Sequence, residues 1–353
     1  MKKLVLKGPA HLEVVDEAET PPGTGEVALK VYECGICGSD IHAYLGKHPF
    51  VRYPVTPGHE FAGEVVALGY GVDPSLLGRR ACVEPSLACG KCPQCASGRY
   101  NICSRLRVMG FQAPGAMREI VCVPAVRLHM LPDGVSTAGG ALAEPAAVAA
   151  HAFARSGARR GDAVLVFGAG VIGLLLTKIA AAKGCQAVVV EKEPARAERA
   201  VKFGAEDAVV FGGGAALPEQ LTRLSAGGRL RAVFECAGSA EAIDAAVRLA
   251  PRGSTVVVAG VFPGPTPVPL ELIQDGELDV RGTLMYTGAD FEEALWLIGE
   301  GLSGGFLFFP FFPHRGGADS PGRFHHPRLS VGRSPRCLPY ACFRRGFRLE
   351  GDA

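Results

Sequence analysis

The sequence predicts an α/β protein in two parts, a β-rich first domain followed by a doubly wound parallel sheet flanked by helices. Three observations predict it. The first 150 residues read as short strands punctuated by glycine and proline turns. From Ala163 onward, strands alternate with helices of the length that a right-handed crossover needs. The 353 residues also exceed what one hydrophobic core ordinarily serves. With 48% hydrophobic and 20% charged residues, the composition is that of a soluble globular chain. A formal charge of +2 without a block of like charges gives no reason to expect a polyanion, so nucleic acid is not an expected partner. Only a few apolar residues separate Met1-Lys2-Lys3 from Lys7, too few for a signal-peptide core or a membrane span, so neither secretion nor membrane insertion is expected.

In chain order, Gly25 to Tyr32 and Phe61 to Gly69 carry β patterns, and Pro21-Pro22-Gly23 and Pro132-Asp133-Gly134 mark turns. An alanine-rich helical stretch covers Ala146 to Ala154. The alternation then runs through strands at Ala163 to Phe167, Ala187 to Val190, Ala208 to Phe211, Ala232 to Glu235 and Ser254 to Ala259. Helices are expected at Gly173 to Ala182, Ala195 to Lys202, Ala240 to Leu249 and Asp290 to Gly301.

Twelve cysteines in a chain with ample core argue against a disulfide scaffold, and four of them, Cys89, Cys92, Cys95 and Cys103, fall in one short stretch. Adjacent C-x2-C pairs make poor disulfides, whereas four thiolates close a tetrahedron around zinc, so a structural metal site in a reducing cytoplasm is expected. A second, open site is suggested by Cys37, by His59 in Gly58-His59-Glu60, and by Glu144 before Pro145: a thiolate, an imidazole and carboxylates from separated loops. Singly, each has a plainer reading: a small core cysteine, a hydrogen-bonded histidine, a helix start at Glu-Pro. Cys34 keeps the core reading.

Gly168-Ala169-Gly170-Val171-Ile172-Gly173 follows an apolar strand and opens a helix. Such glycines allow a tight turn and let backbone approach a pyrophosphate resting on the helix N-terminal amides. The next strand ends in Glu191, roughly 20 residues on, where an acid would bind the adenosine ribose hydroxyls and disfavour a 2′-phosphate. NAD is therefore expected over NADP, with Lys192 and Arg196 close enough to blur the preference.

The pieces GICGSDIH (Gly35 to His42), GHEFAGEV (Gly58 to Val65), CGKCPQC with Cys103, Glu144-Pro145 and GAGVIG (Gly168 to Gly173), in this order, resemble the zinc-dependent medium-chain dehydrogenases/reductases, nearest the polyol, threonine and sugar-acid branch. The resemblance covers about Lys3 to Gly301. It implies a GroES-like catalytic domain over residues 1–150, completed by 287–353, and a Rossmann coenzyme domain over 151–286. It implies catalytic-zinc ligands Cys37 and His59, with Glu60 and Glu144 as carboxylates that ligate or exchange with water. A proton relay of Ser39 and His42 is implied too, with Asp40 holding a ligand imidazole; Ser39 and Asp40 also read as an N-cap pair on a short helix. Coenzyme contacts are implied at Gly168, Gly170, Val171, Ile172, Gly173, Glu191, Arg196 and Val261. Tyr53, His48, Phe111 and Glu144 fall in segments expected to face the substrate cleft. The expected activity is hydride transfer from a secondary alcohol to NAD, in a homodimer or homotetramer. The alternatives are an NADP-preferring reductase of the same fold, or a zinc-stabilised binding protein, which near-neutral charge disfavours.

The sequence after about Gly301 departs from the family's pattern. No lysine follows Lys202, so the expected Gly-Lys before a last strand is missing, and the stretch is dense in Arg, Pro, Gly and His without periodicity. The expectation is a reading frame shifted near Gly301, which would leave a dehydrogenase-like protein inactivated by its tail; the alternative is a divergent but genuine C-terminus.

Overall fold

The computed structural model describes residues 1–212 and 218–302. The tail on which the expectation of a shifted frame rests lies outside the described residues, as does the part of the proposed completion of the first domain that follows residue 302.

The chain opens with a hairpin, β1 (Lys2–Gly8) and β2 (His11–Asp16). A five-stranded antiparallel sheet follows, in the order β8-β3-β4-β5-β9, built from β3 (Glu26–Cys34), β4 (Phe61–Leu68), β5 (Arg80–Val83), β8 (Ile120–Pro124) and β9 (Leu128–Met130). Between β3 and β4 lies the short helix α1 (Gly38–Tyr44), and the small hairpin β6 (Ser86–Leu87) with β7 (Arg107–Val108) brackets α2 (Pro93–Ala96). Val27, Leu29 and Val31 of β3 alternate onto the buried face with Val65, Val83, Val121 and Val123, which is why this stretch reads as strands.

Helix α3 (Thr137–Ser156) starts well before the alanine-rich stretch expected from the sequence, because Ser136 caps it by accepting the Gly139 N–H at 3.1 Å. Glu144-Pro145 therefore does not start a helix; both lie inside α3, which also runs across the 150/151 boundary. Its alanines at 143, 146, 147, 149, 150 and 152 are buried and share one core with Ala62 and Cys82 of the antiparallel sheet and with Val164, Val166 and Phe234 of the next one. Small side chains let this helix approach both sheets closely.

The second sheet has six parallel strands in the order β12-β11-β10-β13-β14-β15. They are β10 (Ala163–Phe167), β11 (Gln186–Glu191), β12 (Asp207–Val210), β13 (Leu230–Glu235), β14 (Thr255–Val258) and β15 (Asp279–Gly282). Helices α4 (Val171–Ala182), α5 (Pro194–Lys202), α6 (Glu219–Ala226), α7 (Ala240–Leu249), α8 (Leu270–Asp275) and α9 (Gly288–Leu297) accompany them. Successive residues of β10 go to opposite faces: Val164 and Val166 join the core with α3 and α4, Leu165 and Phe167 the core with α7. Covered on both faces, these strands read as continuous apolar runs. The direction of strand order reverses between β10 and β13, and in open sheets of this kind a ligand binds outside the carboxyl ends of such a pair. The last expected helix stops at Leu297, and a wide turn follows in which Gly301 takes φ 99°.

Candidate active site

The ends of β3 and β4 are in register, Cys34 opposite Phe61, and the Gly35 N–H donates to the Glu60 carbonyl at 2.6 Å. That pairing brings the loop after β3, with Cys37, against His59 and Glu60 at the entry to β4. One ligand atom each from Cys37, His59 and Glu60 lies within 4.8 Å of the others. Cys37 itself occupies the N-cap of α1, so the expected Ser39–Asp40 cap pair is corrected: Asp40 sits at the third helical position and accepts the Cys37 N–H at 2.9 Å through Oδ2. Its other oxygen lies 3.6 Å from His59 Nδ1, both side chains being 6% exposed. Asp40 thus faces both the helix start and the imidazole, and leaves the second ring nitrogen for a metal.

Electrostatics show what this cluster is short of. Burial pushes the Cys37 thiol up and raises the Glu60 carboxyl to about 8, with Glu144 and Asp40 adding to the rise while His59 opposes it. Burial would push His59 down, but the negative charge of Asp40, with the neighbouring Cys37, holds it well above its ordinary value. Asp40 Oδ1 and His59 Nδ1 are buried without a partner at hydrogen-bond distance. A thiol, an imidazole and crowded carboxyls with one histidine to balance them are what a divalent cation neutralises, and the mixed S, N, O donor set fits zinc.

Glu144 stands outside that mutual set. It is buried on α3, and its Oε1 accepts a 2.8 Å hydrogen bond from the Tyr286 hydroxyl. Tyr286, fully buried, went unnoticed in the sequence; 142 residues separate it from Glu144 and no spacing rule links them. Ser39 is half-buried and His42 exposed, three residues apart and so neighbours on one side of α1. Phe111 is buried with its ring 4.9 Å from that of His59, and His48 stacks on it at 4.4 Å. The Tyr53 hydroxyl turns away from them to donate to the Ala43 carbonyl.

The four-cysteine loop closes as a second cluster. Cys89, Cys92, Cys95 and Cys103 each offer a sulfur within 4.8 Å of the rest and none is in a disulfide. Backbone N–H groups, chiefly of Lys91 and Cys95, pull the Cys89 and Cys92 thiols below their usual value. Cys34, by contrast, packs against the sheet core. From the same loop, Asn101 Nδ2 donates to the Leu284 carbonyl at 2.9 Å and the Tyr100 hydroxyl accepts the Gly288 N–H.

At the end of β10, Gly168 takes φ 97°, a conformation that favours glycine, and a Cβ at Gly173 would lie 1.9 Å from the Gly168 carbonyl oxygen. Glycine is thus required at Gly168 and Gly173, whereas a Cβ at Gly170 would meet open space. Gly170 is the N-cap of α4, with Val171 and Ile172 opening the helix. Glu191 is buried at the end of β11, accepting the Ala169 N–H at 2.8 Å on one oxygen and those of Lys192 and Glu193 at 2.8 and 3.1 Å on the other. Arg196 on α5 and Val261 in the loop after β14 are exposed. A second buried acid, Glu235 at the end of β13, accepts the N–H groups of Ala237 and Gly238 at 2.8 and 2.7 Å. It too was missed, because a glutamate ending an apolar strand carries no motif of its own.

Residues 23–133 match the alcohol dehydrogenase GroES-like domain, and residues 171–300 the zinc-binding dehydrogenase family. The chain is 36% identical over 303 residues to L-galactonate-5-dehydrogenase of Escherichia coli K12, covering 85% of this chain and 88% of the relative. It is 36% identical over 306 residues to sorbitol dehydrogenase of Halalkalibacterium halodurans, covering 85% and 89%. This chain belongs to the zinc-dependent alcohol dehydrogenase family. Among solved structures, the NADH complex of a short chain alcohol dehydrogenase from Escherichia coli CFT073 matches with TM-score 0.79 and 30% identity, over 86% of this chain and 88% of that one. As an alcohol dehydrogenase of this family the protein is a zinc-dependent oxidoreductase of CH–OH donors that uses a nicotinamide coenzyme, with a GroES-like part and a Rossmann-type parallel sheet, as the sequence resemblance implied. Among the described residues no helix is long and apolar enough to cross a membrane.

Proposed function

We propose that the enzyme oxidises a secondary alcohol of a polyol, sugar acid or hydroxy-amino acid with NAD, at a metal held by Cys37, His59 and Glu60 with Glu144 beside them. The convergence of Cys37, His59 and Glu60 from two sequence-distant loops within 4.8 Å carries this reading. The substrate class is supported by the likeness to sorbitol and galactonate dehydrogenases. Zinc in this donor set supplies a Lewis acid that lowers the pKa of an alcohol hydroxyl, and the nicotinamide supplies the hydride acceptor.

The chain's own residues do the rest. Asp40 orients the His59 ring through Nδ1. The Ser39 hydroxyl would accept the proton leaving the alcohol as it gives up its own, by way of the coenzyme ribose, to His42, which is exposed on the same helix and releases it to solvent. Phe111 and His48 wall the metal cluster and exclude water. Cys89, Cys92, Cys95 and Cys103 hold a second, structural zinc. Gly168, Gly170, Val171, Ile172 and Gly173 cradle the coenzyme pyrophosphate at the start of α4. Glu191 would hold the adenosine ribose hydroxyls, with Arg196 and Val261 as further coenzyme contacts. We assign residues 1–150 and 287–353 to the catalytic domain and 151–286 to the coenzyme domain. A cytoplasmic dimer or tetramer joined at the β15 edge, where Val280 and Leu284 are 43% and 52% exposed, completes the reading, with neither nucleic acid nor membrane as a partner.

A panel of sugar alcohols, aldonates, threonine and butanediol, followed by NADH absorbance with zinc content measured on the same sample, tests it. One class is expected to turn over faster with NAD than with NADP. A zinc-loaded sample inactive on the whole panel overturns the substrate assignment, and a faster rate with NADP overturns the coenzyme preference.

A further inference from the structure

We propose that Tyr286 is the positioning residue that holds the Glu144 carboxylate toward the catalytic metal, and that the four-cysteine loop anchors it there. The proposal rests on the reading of Glu144 as a carboxylate of that metal site. Glu144 is buried among charges of both signs: His59 attracts its carboxylate, and Asp40 and Glu60 repel it. Charge alone therefore does not settle which way the carboxylate faces, and a hydrogen bond to one of its oxygens does. Among the described residues the Tyr286 hydroxyl is its one hydrogen-bond donor, at 2.8 Å to Oε1, which leaves Oε2 free for the metal.

Tyr286 is itself immobilised from both sides. Its ring meets Phe291 edge to face at 5.5 Å, and Phe291 stacks on His129 at 4.5 Å. Just before it, Met285 takes φ 49°, a strained conformation for a residue with a side chain, and turns the chain between β15 and α9. Two residues before Tyr286, the Leu284 carbonyl accepts from Asn101 at 2.9 Å; two residues after it, the Gly288 N–H donates to the Tyr100 hydroxyl. Tyr100 and Asn101 lie between Cys95 and Cys103. The loop that closes on its own metal thus clamps the segment that aims a carboxylate at the other one. Such outer partners are typically worth about 10-fold to 100-fold in metal affinity or activity.

The test follows zinc release from the fully loaded, full-length protein to the chromogenic chelator 4-(2-pyridylazo)resorcinol. The open site releases first and the closed four-cysteine site later, and Cys37→Ala, which lacks the early phase, identifies it. Tyr286→Phe keeps the ring and removes the hydroxyl. It is expected to speed the early phase about 10-fold and leave the late phase unchanged. Glu144→Gln is expected to speed the early phase at least as much, and the double variant no further than Glu144→Gln alone. An unchanged early phase in Tyr286→Phe beside a faster one in Glu144→Gln overturns the positioning role. So does an additive double variant, or acceleration of both phases, which marks general loosening. If Glu144→Gln itself releases zinc like the wild type, the assignment of Glu144 to the metal fails, and the role of Tyr286 fails with it.

Discussion

Replacing Glu235 isolates what a fully buried carboxylate does for the coenzyme crevice. Its side chain is 0% exposed, and one oxygen accepts two backbone N–H groups, from Ala237 at 2.8 Å and Gly238 at 2.7 Å. Those donors begin the loop after β13, where Gly238 approaches the Val261 backbone so closely that a Cβ there would sit 2.5 Å from the Val261 carbonyl oxygen. Glu235→Ala leaves both N–H groups buried without an acceptor. At about 1–3 kcal/mol for each orphaned group, the variant is expected to lose roughly 2–6 kcal/mol. Glu235→Gln keeps a carbonyl oxygen in the same place and is expected to lose less than about 1 kcal/mol near neutral pH. Urea unfolding of the zinc-loaded proteins measures both, and NADH fluorescence gives coenzyme affinity, expected to fall at least about 10-fold in the alanine variant only. The charge adds a pH dependence. Burial raises the Glu235 carboxyl above 4.5 against the pull of the N–H groups, so its contribution is fully present below 4.5 and lost as pH rises through the raised folded value. Glutamine removes that slope. Equal stability of the alanine and glutamine variants refutes the argument, since it means the acceptor is not what holds the loop.

Cys37→Ala is expected to fold, to lose one zinc per chain and to abolish turnover; a near-normal rate in the zinc-stripped variant, measured by NADH absorbance, contradicts a catalytic role for that thiol. Gly173→Ala forces its Cβ to within 1.9 Å of the Gly168 carbonyl oxygen unless the loop moves, so NADH binding by titration is expected to be lost while zinc content stays at the wild-type level. Cys92→Ser is expected to release the structural zinc and lower the urea midpoint, because closing a tetrathiolate site contributes to folding; an unchanged midpoint with zinc lost speaks against that contribution. Asn101→Ala removes the bond to the Leu284 carbonyl and is expected to cost about 1 kcal/mol in the same unfolding assay.

Sequence alone determined a good deal of this protein. Strands β10 to β14 were legible because strands covered on both faces are continuous apolar runs, and α7 ran over Ala240–Leu249 as expected, whereas the short elements β15, α6 and α8 were not read. Cys89, Cys92, Cys95 and Cys103 were legible because one short loop carries a whole tetrahedral ligand set. The glycine pattern at Gly168 to Gly173 was legible because the backbone tolerates nothing larger at Gly168 and Gly173. Chain ends of elements were less so: α3 begins at Thr137 because of a serine cap and holds Pro145 in its interior, against the local rule for Glu-Pro. What only the tertiary structure decided are contacts between residues far apart in the chain. That Cys37 is the cap of α1 and Asp40 its partner, that Tyr286 reaches Glu144 from 142 residues away, and that Glu235 holds two loop amides all depend on how α3 brings two sheets onto one core. Periodicity and motif spacing report on neighbours within a segment. The distances between segments are set by packing, which no local pattern encodes.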